Sequence, residues 1–183
     1  PRLVLMARFW VILFDGFDEL DGIAPFEVLA AAARQGAAIE VELRVLGSAR
    51  GVSGSYGLPL GPFTAIDESH VDWIIVPGGN WVRPDAPGTR REVARGELPR
   101  VLRDRHDRGT KIASVCTGAM LIAEAGLLEG KQATTHPVAR DDLHARGITF
   151  VPEVRVVDAG DVVTAGGVTS GLDLGLWLLE REA

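Results

Sequence analysis

The chain lacks the features that would place it in several large protein classes. It has one cysteine among 183 residues, Cys116, so no internal disulfide can form and a reducing, cytoplasmic setting is expected. No Cys/His pair has metal-site spacing, and His70, His106, His136 and His144 are scattered, so neither a metal nor another cofactor is expected. No apolar run approaches the roughly 20 residues of a membrane-spanning helix. The formal net charge is −6 and no Lys/Arg cluster breaks it, which argues against nucleic acid or an anionic membrane as partner. Internal repeats, low-complexity tracts and a dividing linker are also missing. What remains, 46% hydrophobic and 24% charged residues, is an ordinary globular balance. A chain of this length can bury roughly 70% of its unfolded surface in one domain, and a small molecule is the natural partner.

Leu3 to Phe14 is apolar enough to resemble a signal peptide. Arg8 interrupts it, no small-residue cleavage site follows, and Asp15, Asp18, Glu19 and Asp21 come next, so it reads as a core strand. Residues 1–8 read as a leader ahead of that strand. Phe9 to Phe14 has the continuous apolar pattern of a parallel strand covered on both faces. Leu20, Ile23, Phe26, Val28, Leu29 and Ala32 recur at helical spacing, with Pro25 early in the helix, where a missing amide costs least. Further strands are expected over 38–46, 71–76, 111–115, 132–135, 149–157 and 161–165, with a hairpin or edge excursion over 51–60. Helices are expected over 97–108, 117–126, 137–145 and 168–181, and 83–88 reads as a Pro-rich loop. This alternation predicts a single-domain α/β fold with a doubly wound, mostly parallel sheet. Ligands of such sheets bind beyond the carboxyl ends of the strands, where 15–21, 78–81 and Cys116-Thr117 converge.

Cys116 stands where strand pattern gives way to helix pattern, the position of a nucleophile elbow. A thiol there faces the first amides of a helix, whose partial positive charge favours thiolate. The plain alternative is a small buried hydrophobe. Pro77-Gly78-Gly79-Asn80 reads either as a turn or as backbone that approaches a ligand closely. On the second reading the amides of Gly79 and Thr117 form an oxyanion-type hole beside the sulfur. Asp21 is the first candidate for a proton donor, its alternative role being a helix N-cap. Glu27, one or two turns further on, is the second, whereas Asp15 and Asp18 read as solvated loop residues.

Seven segments together resemble the ThiJ/PfpI superfamily, with its glutamine amidotransferase-like fold. They are Phe14-Asp15-Gly16, Leu20 to Leu29, Pro77-Gly78-Gly79, Ser114 to Ala119, Gly126 to Lys131, Ala133 to His136 and Gly166 to Asp173. The resemblance runs in order from about Phe9 to the carboxyl terminus, and it is greatest to the isocyanide hydratase branch. That branch is also similar to the ligand-sensing domains of certain AraC-type regulators.

The resemblance implies that Cys116 is the elbow nucleophile and that Asp21 is the acidic residue bonded to the sulfur. Thr117 occupies a position where protease-like and deglycase-like members carry histidine, and threonine cannot act as a base near neutral pH. His136 matches a family Thr-His pair, but Pro137 follows where hydratases tend to have tryptophan. The implied activity is cofactor-independent hydration of an isocyanide to a formamide through a thioimidate on Cys116, in a homodimer. A non-catalytic small-molecule or redox sensor is the alternative, and the absence of a helix-turn-helix module after Ala183 argues against a stand-alone transcription factor.

Overall fold

The computed structural model describes residues 5–182. In chain order the first half contains β1 (Ala7–Leu13), α1 (Glu19–Arg34), β2 (Ile39–Val45), β3 (Arg50–Ser53), β4 (Pro59–Ala65) and β5 (Trp73–Val76). Then follow α2 (Thr89–Arg95), α3 (Glu97–Asp107), β6 (Lys111–Val115), a 3-10 turn at Cys116–Gly118, α4 (Ala119–Glu124) and β7 (Gln132–Ala133). The last part contains a 3-10 turn at Pro137–Ala139, α5 (Arg140–Ala145), β8 (Thr149–Phe150), β9 (Val156–Asp158), β10 (Val162–Ala165) and α6 (Ser170–Glu182).

Eight strands form one sheet in the order β3-β4-β2-β1-β5-β6-β10-β9. Pairing is parallel from β4 through β10, and antiparallel only at the two edges, β3 with β4 and β9 with β10. The central strands are apolar on both pleat faces: Phe9, Val11, Ile12 and Leu13 of β1 and all four residues of β5 are fully buried. Each large side chain buried this way contributes about 1.5–3 kcal/mol, which requires helices over both faces of the sheet. One helical group is α1 against α6, and the other is α2, α3 and α4 packed together. The chain turns from β1 outward to β2, then returns to the other side of β1 to lay down β5 and β6. That reversal opens a crevice at the carboxyl ends of β1, β5 and β6.

Several expected boundaries move. The first strand starts at Ala7, so Ala7 and Arg8 belong to the sheet, and residues 1–4 of the expected leader lie outside the described residues. The segment 149–157 divides: β8 pairs with β7 in a separate two-stranded sheet, and β9 joins the edge of the main one. Helix α2 lies just beyond the expected Pro-rich loop, in a stretch whose sequence, Thr-Arg-Arg-Glu-Val-Ala-Arg, has too few apolar residues to show a helical period. The helix expected over 117–126 is shorter than its pattern, a 3-10 turn followed by six α-helical residues.

Candidate active site

Cys116 is the residue on which β6 breaks. Its φ is 60°, a left-handed conformation that non-glycine residues rarely hold, and its neighbours fix it there. The Cys116 amide donates to the Gly166 carbonyl at 2.9 Å, and the Thr135 hydroxyl donates to the Cys116 carbonyl at 2.9 Å. With main-chain donor and acceptor both held, the side chain is aimed into the crevice.

The first turn of α1 supplies the carboxyl. Asp18, not Asp21, is the N-cap, accepting from the Leu20 amide at 3.2 Å. Asp21 lies three residues further on, with no solvent exposure, and its Oδ2 accepts from the Gly78 amide at 3.1 Å. Its Oδ1 is buried without a hydrogen-bond partner among the described residues, while the Cys116 thiol lies near enough for each group to perturb the other's titration. Burial raises Asp21 to about 8, and the Asp18 carboxylate adds to the rise. Asp18 is itself half-buried and raised by that burial.

The thiol does not follow the expectation of a stabilised thiolate. Burial pushes Cys116 well above the ordinary thiol range, the Asp21 carboxyl adds to the rise, and the backbone amides of Thr117 and Val168 offset only part of it. The short helical turn after Cys116 is outweighed by desolvation of the sulfur and a carboxyl beside it. Near neutral pH the pair is therefore a neutral thiol next to a carboxyl poised to hold its proton.

Gly78 permits this convergence. A Cβ on it would lie 2.7 Å from the Thr117 amide nitrogen and 2.8 Å from Asp21 Oδ2, so any larger residue would push β5, α1 and the elbow apart. The amide of Gly79 is not free to form the expected oxyanion hole with Thr117, because it donates to the Thr117 hydroxyl at 3.0 Å. That hydroxyl also lies 2.9 Å from the Gly79 carbonyl and 3.0 Å from the Thr89 hydroxyl of α2. Thr117 thus ties the elbow to the β5 loop, and the two amides facing the sulfur are its own and that of Val168. Asn80 likewise spends its side chain on the loop, accepting from the Arg83 amide and donating to the Arg83 carbonyl.

Glu27 does not join the site. It is exposed, and six residues along a helix rotate it by about 240° from Asp21. His136 does border the same cavity as Cys116, about 350 Å³ in volume, together with Asp18, Tyr56, Arg83 and Val168. Its Nδ1 accepts from the Val138 amide at 3.1 Å, which occupies that nitrogen instead of offering it as a base to the sulfur. Among the described residues no three His, Cys, Asp or Glu side chains converge as a metal site, and no helix is long and apolar enough to cross a membrane.

Val168 escaped sequence reasoning. Its φ of 40° turns its amide toward the elbow, and this position follows from β10 pairing alongside β6, with Ala165 opposite Val115. Its segment, Gly166 to Asp173, carried the family resemblance without pointing to a role for this amide.

Known proteins share this arrangement of elements. Isonitrile hydratase from Pseudomonas putida is 35% identical over 171 residues, spanning 93% of this chain and 69% of the relative. Parkinson disease protein 7 homolog from Danio rerio is 27% identical over 178 residues, spanning 95% of this chain and 88% of the relative. A solved THiJ/PfpI family protein from Pseudomonas syringae superposes with a TM-score of 0.82 at 26% identity, covering 98% of this chain and 72% of that one. The DJ-1/PfpI family pattern matches residues 7–181, from the first strand through the last helix. With its parallel sheet, its cysteine elbow and this match along nearly its whole length, the chain belongs to the DJ-1/PfpI family.

Proposed function

We propose that the protein is an isocyanide hydratase, converting R–N≡C and water to the formamide R–NH–CHO. One observation carries the reading: a buried thiol beside a buried carboxyl, with neither a cation nor an imidazole bonded to either group among the described residues, so that burial favours the protonated form of both. Most substrates of cysteine enzymes need a thiolate. An isocyanide does not, because its terminal carbon accepts both a nucleophile and a proton. The 35% identity to an isonitrile hydratase supports the same chemistry.

In the first step Cys116 Sγ bonds to the terminal carbon while Asp21 delivers its proton to that carbon and receives the thiol proton in return. The product is a thioimidate, R–N=CH–S. Water then adds at the same carbon, giving its proton to the Asp21 carboxyl as Asp21 protonates the nitrogen. When the C–S bond breaks, the hydroxyl proton passes through Asp21 to the departing sulfur, leaving the formamide and the original thiol. The Thr117 and Val168 amides stabilise negative charge on sulfur as it enters and leaves. Thr117 acts as a positioning residue, through its bonds to Gly79 and Thr89.

Purified protein should convert alkyl or aryl isocyanides to formamides, followed by chromatography, and acid quench should trap an adduct heavier than the protein by one isocyanide. Cys116→Ala should abolish both signals. No turnover across several alkyl and aryl isocyanides would overturn the reading and leave the sensor alternative.

A further inference from the structure

A second cavity, about 490 Å³, adjoins the active-site cavity and shares Ser55, Asn80 and Arg83 with it. We propose that this second cavity is a carboxylate subsite, with Arg83 at its junction with the active-site cavity and Arg91 beyond it holding the acid group of a substrate whose reactive end reaches Cys116. The substrate class is then an isocyanide bearing an acid group, so the inference rests on the hydratase reading for its reactive end.

The charge inventory points to an anion. Two carboxylates line the cavity, and each has its own guanidinium: Asp15 lies 2.9 Å from Arg50, and Glu92 lies 2.8 Å from Arg95. Arg83 and Arg91 also line it, and among the described residues neither side chain makes a salt bridge or a hydrogen bond. The planar fork of a guanidinium matches a carboxylate in two parallel hydrogen bonds.

The backbone presenting Arg83 is held in place. Asn80 Nδ2 donates to the Arg83 carbonyl at 2.6 Å, and the Arg83 amide donates to Asn80 Oδ1 at 3.1 Å, closing the loop on itself. At the loop's far end Gly88, with φ 142°, lies so near Asn80 that a Cβ would stand 2.7 Å from the Asn80 nitrogen. The Arg90 amide then donates to the Asn80 carbonyl at 3.2 Å. A loop clamped at both ends loses less freedom when it binds a ligand. Together the cavities lie within the volume range of small-molecule sites, with the nucleophile in one, Arg91 in the other and Arg83 between them.

The test compares ω-isocyanoalkanoates of increasing length with their methyl esters. The acid should exceed its ester in kcat/KM by about tenfold at low ionic strength at one chain length, mainly through KM. Arg83→Gln and Arg91→Gln, each checked for an unchanged melting profile, should bring the acid-to-ester ratio toward one. A second readout needs no turnover: calorimetric titration of Cys116→Ala protein with an ω-formamidoalkanoate should show binding that Arg83→Gln weakens about tenfold. Esters turned over as well as acids at every length would overturn the subsite and leave the hydratase standing. Arg83-dependent carboxylate binding with no isocyanide turnover would overturn the hydratase and leave the subsite standing.

Discussion

Two carboxyl groups at opposite ends of the sheet, Asp161 and Asp21, are treated in opposite ways. At the amino ends of the strands, Asp161 just before β10 meets Lys131 at 2.8 Å and His106 at 2.6 Å, and these partners hold it at about 2. Glu182 is similarly placed, bonded to Lys111 and to the Trp73 indole. At the carboxyl ends Asp21 has a backbone amide and a thiol for neighbours and rises to about 8. The protein is not short of cations, with 19 Lys and Arg residues, yet among the described residues none is bonded to Asp21. A perturbed carboxyl marks scaffold where cations explain it. Burial without a cation makes it a candidate for chemistry.

Removing the unneutralised carboxyl gives the largest expected effect. Asp21→Asn should lower isocyanide turnover about 10³-fold, the scale of a lost general acid. In the unaltered protein the rate should fall as pH rises through about 8, where Asp21 loses its proton. A profile flat from pH 6 to 10 would remove Asp21 from the proton path. Next comes Gly78→Ala, whose added methyl would intrude on Thr117 and Asp21. It should cost about 2–3 kcal/mol in denaturant titration, and turnover should fall about 10²-fold as the pair is misaligned.

Stability then separates the two ends of the sheet. Asp21's folded value lies above its unfolded 3.8, so its contribution is fully present below about 4 and is lost as pH rises through about 8. Asp21→Asn should therefore stabilise the fold at pH 8 by on the order of 2 kcal/mol and confer no such gain at pH 4. Asp161 has the opposite sign: its folded value is depressed, so its contribution is present above the unfolded 3.8 and lost as pH falls toward about 2. Because solvent screens that half-exposed carboxylate, Asp161→Asn should cost at most about 1 kcal/mol at pH 7. Equal and same-signed responses at the two positions would erase the contrast.

Much of the fold was legible because the buried strands announce themselves. Phe9 to Leu13 and Trp73 to Val76 are uninterrupted apolar runs, and the period change at Cys116 located the elbow. Helix α2 was not legible, since an arginine-rich single turn or two has no apolar period to read. Within the site, Cys116 and Asp21 were visible as types at telling positions, but their protonation was not, because desolvation depends on what the tertiary fold places around them. Glu27 was misjudged by helical phase. Gly79 was misjudged because its amide's partner, the Thr117 hydroxyl, lies 38 residues away. Arg83 fell within the expected Pro-rich loop and Arg91 in a stretch with no assigned element, and only the pairing of Asp15 with Arg50 and of Glu92 with Arg95 sets them apart.

The Cys116 amide rests on the Gly166 carbonyl and its sulfur faces the Val168 amide, both just past β10, the last strand of the chain. In a chain without that pairing both contacts are lost, and the thiol has its ordinary value of about 8.5. With β10 in place the cysteine is 6% exposed, on the wall of the active-site cavity. The elbow is therefore completed from the far end of the sequence, and Cys116 takes up its native surroundings only where β6 and β10 are paired.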